Sequence, residues 1–174
     1  VTDYLPPVEQ QQGAMLADIL RRLNNAQQRL DSLPVQTGAW TPYTPSWTSS
    51  GTAPSVGAGT LTGSYSKTGR TVTVEIRMYG GSGTSFGTGV YSFSLPFAAL
   101  VAGAPSGAFV HSGVWVCTNS GSAYFLVGAT ISQSAPSVVQ GVVNGTANQL
   151  GATAPATWNA NSSFVCTITY ESTT

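Results

Sequence analysis

Hydrophobic and polar positions alternate most regularly between Gly59 and Tyr79. Val72, Val74, Ile76 and Met78 fall on one side of an extended chain, and Thr71, Thr73, Glu75 and Arg77 on the other. A period of two marks a half-buried strand, and the run before it is a second strand joined through Lys67-Thr68-Gly69. Further strand-like runs recur at 60–66, 70–79, 90–95, 107–118, 122–131, 137–143 and 163–170. They are punctuated by Gly, Ser, Asn and Pro clusters. From Gly38 onward the chain therefore reads as all β, and short strands at this spacing predict an antiparallel β-sandwich of jelly-roll type.

The period changes nearer the start. Leu16, Ile19, Leu23, Ala26, Leu30 and Leu33 are spaced 3-4-3-4-3, a heptad seam with a at 16, 23 and 30 and d at 19, 26 and 33. Pro34 stops the helix. The expected organisation is an extended, Pro-marked lead over 1–12, a coiled-coil helix over 13–33, and a β domain over 34–174 with a linker at its start. A single amphipathic helix often packs on its own domain, but this one is separated from the strands by "PVQTGAWTPYTPSWTSSG". A helix of this length is marginal alone in water, so the leucines predict burial against copies of the same chain. Leu at a with Ile at one d position leans away from a dimer, and a homotrimer is expected.

Composition narrows the chemistry. Among 174 residues, six Lys+Arg balance six Asp+Glu, and only 7% are charged. No field steers the chain to nucleic acid or anionic lipid, and Lys67, Arg70 and Arg77 are too few for a nucleic-acid surface. No apolar run is long enough for a membrane span. The opening "VTDYLPP" has neither a basic leader nor an apolar segment, so no signal peptide is expected. A polar surface made of Ser, Thr, Asn, Gln and Gly suits extracellular and virion proteins. Cys117 and Cys166 lie in strand-like runs; two reduced core thiols are expected ahead of a bridge between neighbouring strands.

Catalytic groups are scarce. His111 is the single histidine and has no carboxylate beside it in sequence. The β domain offers only Glu75 and Glu171, whereas glycoside hydrolysis needs a flanking carboxyl pair. No zinc or calcium spacing occurs, and "GGSGTSFGTG" (80–89) lacks the lysine and the helix of a phosphate loop. No enzyme, metal or cofactor is expected. Among the aromatics, Trp115 is expected in the core, and Trp40 and Trp47 pack the linker onto the domain. Tyr43 and Tyr124 offer further ring faces. Trp158, in the loop-like "PATWNANSS" with Asn159 and Asn161, is the candidate for contact with a glycan.

The stretch 40–96 resembles the β module of minor tail proteins and fibre-like virion proteins of actinobacterial phages. The resemblance rests on Trp40 and Trp47 with their Pro spacers, Gly57-Ala-Gly59, Gly63-Ser-Tyr65 and Gly69-Arg-Thr-Val72. It continues through Gly83-Thr-Ser-Phe86-Gly-Thr-Gly89 and Phe93-Ser-Leu95-Pro96. It is tight over about a third of the chain, and implies a virion-surface protein, commonly trimeric, with its β module outward. It carries no catalytic residues. The expectation is a fibre or spike assembled in the host cytoplasm. Residues 1–12 would dock on capsid or tail proteins through Tyr4, Leu5, Pro6 and Pro7, and the β domains would touch host-envelope glycans. A decoration or cementing protein without a receptor is the alternative; a secreted carbohydrate-binding module comes third.

The seam makes a direct prediction. At micromolar concentration the chain sediments as three copies. Exchanging Leu16 and Leu23 together for glutamate weakens that association at least a hundredfold, since each buried leucine is worth about 1.5–3 kcal/mol. An unchanged mass in equilibrium sedimentation refutes the seam.

Overall fold

A computed structural model describes residues 8–31, 38–119, 123–143 and 148–174. They form two compact units, 1–37 and 38–174. The first is the helix α1 (Val8–Asp31). It begins before Gly13: Val8–Gln12, expected as part of an extended lead over 1–12, are helical, while Tyr4, Leu5, Pro6 and Pro7 lie outside the described residues. Glu9 and the glutamines that follow are good helix formers, and an acidic first turn suits the positive end of the helix dipole. Met15, Leu16, Ile19, Leu20 and Leu23 are all exposed along α1. Met15 and Leu20 widen the seam beyond its a and d positions. Asp18 pairs with Arg21 and, at 2.8 Å, with Arg22, one and two residues from the apolar stripe's edge. Ala26 is exposed as well, while the side chain of Leu30 and all of Leu33 lie outside the described residues.

The second unit is mainly β: nine antiparallel strands in one curled sheet. They are β1 (Thr41–Tyr43), β2 (Trp47–Ser49), β3 (Thr60–Thr68), β4 (Thr71–Tyr79), β5 (Tyr91–Ser94), β6 (Phe109–Asn119), β7 (Ala123–Ser132), β8 (Ala135–Val143) and β9 (Ser163–Glu171). Their order across the sheet is β1-β3-β4-β9-β6-β7-β8-β5-β2. The expected strands from 60 onward are present within a few residues. β1 and β2 were not expected, because they are three residues each and lie in the Pro-spaced stretch read as a linker. The β3–β4 turn is Gly69-Arg70, since Thr68 pairs with Thr71. Gly69 has φ +58°, which the tight hairpin turn requires and which glycine adopts without strain.

β1 and β2 decide the shape. They sit at opposite margins of the sheet, yet only Thr44, Pro45 and Ser46 separate them. A link that short spans roughly 13 Å at most, so the margins must curl toward each other. The β2–β5 ladder extends into the link, with Ser94 N donating to Ser46 O at 3.0 Å and Ser46 N to Ser94 Oγ at 2.8 Å. Tyr43 of β1 reaches across to that margin, its Oη donating to Ser94 O at 3.3 Å.

The curl encloses one core. Val72, Val74, Ile76 and Met78 are fully buried, on the face their alternation assigns. Register stacks them in rows: Ile76 lies beside Cys166, then Trp115, then Val127; Met78 lies beside Phe164, then Cys117, then Phe125. Trp47 from β2 closes the far side, stacked on Phe93 with ring centroids 5.9 Å apart and edge-on to Tyr91 at 5.2 Å. Each such aromatic pair adds about 0.5–1.5 kcal/mol beyond burial. Trp40, by contrast, is exposed.

Two glycines let large side chains in. A Cβ on Gly63 would meet the Tyr43 ring at 2.4 Å, and one on Gly141 would meet Leu150 Cβ at 2.5 Å and Val127 Cγ1 at 2.9 Å. Leu150, fully buried, reaches the core only because Gly141 is bare. Gly141→Ala is therefore expected to destabilise the domain by about 1–3 kcal/mol through overpacking, read as a lower midpoint in denaturant unfolding. An unchanged midpoint contradicts this packing.

Candidate functional site

A groove in the β domain is built by loops at the end of the sheet where β4 leaves and β9 enters. The segment after β4 runs along the segment after β2. Ser55 and Ser85 exchange backbone hydrogen bonds of 2.8 and 2.9 Å, Ala58 N donates to Ser82 O at 2.9 Å, and Thr88 N to Thr52 O at 3.1 Å. Thr52 N donates to Thr88 Oγ1 at 2.8 Å. Gly87, at φ +57°, brings the two chains so close that a Cβ would lie 2.1 Å from Thr52 O. This is why "GGSGTSFGTG" is so rich in glycine.

The stretch 148–158 completes the rim. Tyr91 N donates to Leu150 O and Ala152 N to Gly89 O. Trp158 is only 6% exposed. Its Nε1 donates to Gly151 O at 2.7 Å, and its ring stands edge-on to Phe164, 4.7 Å between centroids. The exposure expected of Trp158 is thus not found: the loop folds inward because the indole fills the end of the core and its N–H finds a carbonyl. Asn159 and Asn161 are exposed. Asn159 Nδ2 donates to Asn119 Oδ1 at 3.0 Å, and its Oδ1 accepts from Asn161 N at 3.1 Å, so its amide closes a turn.

Thr52, Ser85, Phe86, Gly87, Thr88, Gly89, Ala152, Thr153, Thr157 and Trp158 line a groove of about 660 Å³. Four threonines and a serine offer hydroxyls; Phe86 and Trp158 supply an aromatic floor, backed by Phe164. No lining residue is ionisable. Such a surface can hydrogen-bond and stack on a neutral polar ligand. It offers no acid, base or nucleophile activated by a neighbour. Sequence reasoning placed Trp158 near this site but missed Thr52, Phe86, Thr88, Thr153 and Thr157, since threonines in loops carry no periodic signal.

The candidate catalytic residues are dispersed. His111 Nε2 lies 3.0 Å from Leu100 O, and its ring meets Tyr170 edge-on at 6.0 Å. Glu75 pairs with Arg77 at 2.6 Å and Glu171 with Arg70 at 3.3 Å. Thr71 pairs with Glu171 and Glu75 with Thr167, so the carboxylates are four positions apart along the strands. That is roughly 14 Å between backbones, beyond the ~5–9.5 Å used for glycoside hydrolysis. Among the described residues no group of three or more His, Cys, Asp or Glu is placed to hold a metal ion.

Both cysteines are free and buried, on adjacent strands but not opposite one another. Burial pushes the Cys117 thiol up to about 12, and burial together with Cys117 nearby pushes Cys166 well above its usual range. Burial also raises Tyr170 to about 12; its hydroxyl donates to Phe97 O at 2.8 Å. Tyr43 and Tyr91 are raised by burial too. None of these groups is poised for chemistry near neutrality.

The chain matches no protein-family model, no curated protein and no solved structure.

The buried acids predict an alkaline transition. Each holds its proton more tightly folded than unfolded, so its contribution is complete below pH 9 and is lost as pH rises toward 12, the folded value for Cys117. Unfolding free energy should fall across that window, and both thiols should resist a thiol reagent at pH 8 until denaturant is added. Rapid labelling of the native chain contradicts their burial.

Proposed function

We propose that this chain is the subunit of a phage virion fibre or spike, a homotrimer whose β domains attach to glycans of the host envelope. The observation that carries the reading is the groove over Thr52, Thr88, Thr153 and Thr157: hydroxyls and aromatic edges, with no ionisable lining residue. Neutral sugars are recognised by this combination of hydrogen bonding and apolar ring contact. The exposed apolar stripe of α1 supports the oligomer, as one strand of a three-stranded coiled coil. The low charge and the resemblance of 40–96 to actinobacterial phage tail modules support the virion surface. In this reading the curled sheet is a flattened sandwich of jelly-roll type, and residues 1–12 anchor the fibre to capsid or tail through Tyr4, Leu5, Pro6 and Pro7. The glycan contacts are Trp158 in the groove's floor with the exposed Asn159 and Asn161 that follow it in the chain. No catalysis is involved. Three grooves on one particle-bound trimer give avidity, so each contact need only be weak.

The test is retention on actinobacterial cell-wall polysaccharide. Thr153→Lys with Thr157→Lys, both at exposed groove positions, should lower retention at least tenfold while the unfolding midpoint holds. A wild-type chain that enters virions but retains no cell-wall polysaccharide would be a cementing protein instead.

A further inference from the structure

The outer face of the sheet is divided. Over β3 and β4 it is polar: Thr60, Thr62, Ser64 and Ser66 lie beside Tyr79, Arg77, Glu75 and Thr73. Over β6, β7 and β8, and at Val165 of β9, it turns apolar; the other outward positions of β9 are Ser163, Thr167, Thr169 and Glu171. One row runs Val165–Val116–Leu126, and the next runs from Val114 through Gly128 to Val142. Tyr124 is 74% exposed and Leu126 72%, with Val114 at 41% and Val116 at 38%. A half-buried strand would normally carry polar residues here, so β6 is apolar on both faces.

Gly128 is the odd member of this face. It lies in mid-strand, where glycine weakens a sheet. Its backbone is not in the left-handed region, and a Cβ would find only Val142 O, at an ordinary 3.6 Å. Nothing in the fold requires a glycine. What its bareness leaves is an open hollow of about 380 Å³ ringed by Val114, Leu126, Val127 and Val142. A protruding leucine thus stands two residues from an apolar hole on the same face.

We infer that this face is an interface between copies of this chain, with Leu126 of one copy seated over Gly128 of another. Knob and hole on one surface make it self-complementary, as an isologous contact between two identical subunits requires. The absence of charge leaves nothing to steer a charged partner. Tyr124, Leu126, Val114 and Val116 leave roughly 450 Å² uncovered, in the range of the largest, often functional, patch of a monomer and over half of the ~800 Å² per partner of a standard interface. Val142, Val165 and the surrounding threonines Thr118 and Thr167 extend it toward that size. The inference does not depend on the glycan reading: the groove and this face involve different residues.

The experiment uses the full chain carrying Leu16→Glu and Leu23→Glu, so that helix pairing is suppressed. Sedimentation equilibrium up to high micromolar concentration should still show self-association. Adding Leu126→Arg, or Gly128→Val to fill the hole, should raise the dissociation constant at least tenfold without lowering the unfolding midpoint. In the chain with its native helix, L126C and G128C subunits mixed and oxidised should form covalently linked pairs, whereas T62C, on the polar half, should not. A helix-disrupted chain that stays monomeric throughout, or mixed cysteines that link no better than T62C, overturns the inference. Loss of polysaccharide retention with self-association intact would instead count against the groove.

Discussion

Three residues, Thr44-Pro45-Ser46, tie the two margins of a nine-stranded sheet together, and the rest of the β domain follows from that tether. With β1 and β2 this close in sequence and at opposite ends of the strand order, the sheet cannot lie open. It curls until Tyr43 of β1 bonds Ser94 of β5. Only then does the inner face become an interior, with Trp47 of β2 packed edge-on against Phe164 of β9.

A sheet closed in this way makes a stiff base for irregular loops. The segments after β2, after β4 and before β9 are held by backbone bonds to one another and by the indole of Trp158. The groove they form therefore owes little to long flexible side chains. Threonine hydroxyls on a backbone already fixed lose little entropy when they bind. This suits a neutral polar ligand met at low affinity per site. It also explains how a chain with 7% charged residues presents a polar surface: its hydrogen-bonding groups are hydroxyls and amides rather than ions.

The two apolar surfaces left uncovered belong to different levels of organisation. The stripe of α1 is a linear seam that a short helix must bury to persist. The face of Val114, Val116 and Leu126 is a patch on an already folded domain, so its burial in the proposed contact would add specificity and affinity rather than folding. Two modest contacts in one subunit would make the second effectively intramolecular once the first had formed.

The alternation at 71–78 was legible from the chain alone, because a strand with one buried face must repeat every two residues, and Val72, Val74, Ile76 and Met78 are buried as it assigns. The leucine spacing of the helix was legible for the same kind of reason. Trp115, Cys117 and Cys166, in strand-like runs, are buried as expected. β1 and β2 were hidden: three residues beside prolines have no period to read, and only their partners Tyr65 and Phe93 make them strands. Trp158 read as a surface residue because its loop is polar, but the end of the core had space for an indole and a carbonyl for its N–H. The groove's threonines and the knob and hole of Leu126 and Gly128 were invisible because they come together from distant segments or matter only as surface shape. Local pattern thus determined which side of each strand is buried, since that depends on the solvent at that residue. Tertiary structure decided strand order, closure and the groove, since these depend on which distant segments offer a matching hydrogen bond or a space of the right size.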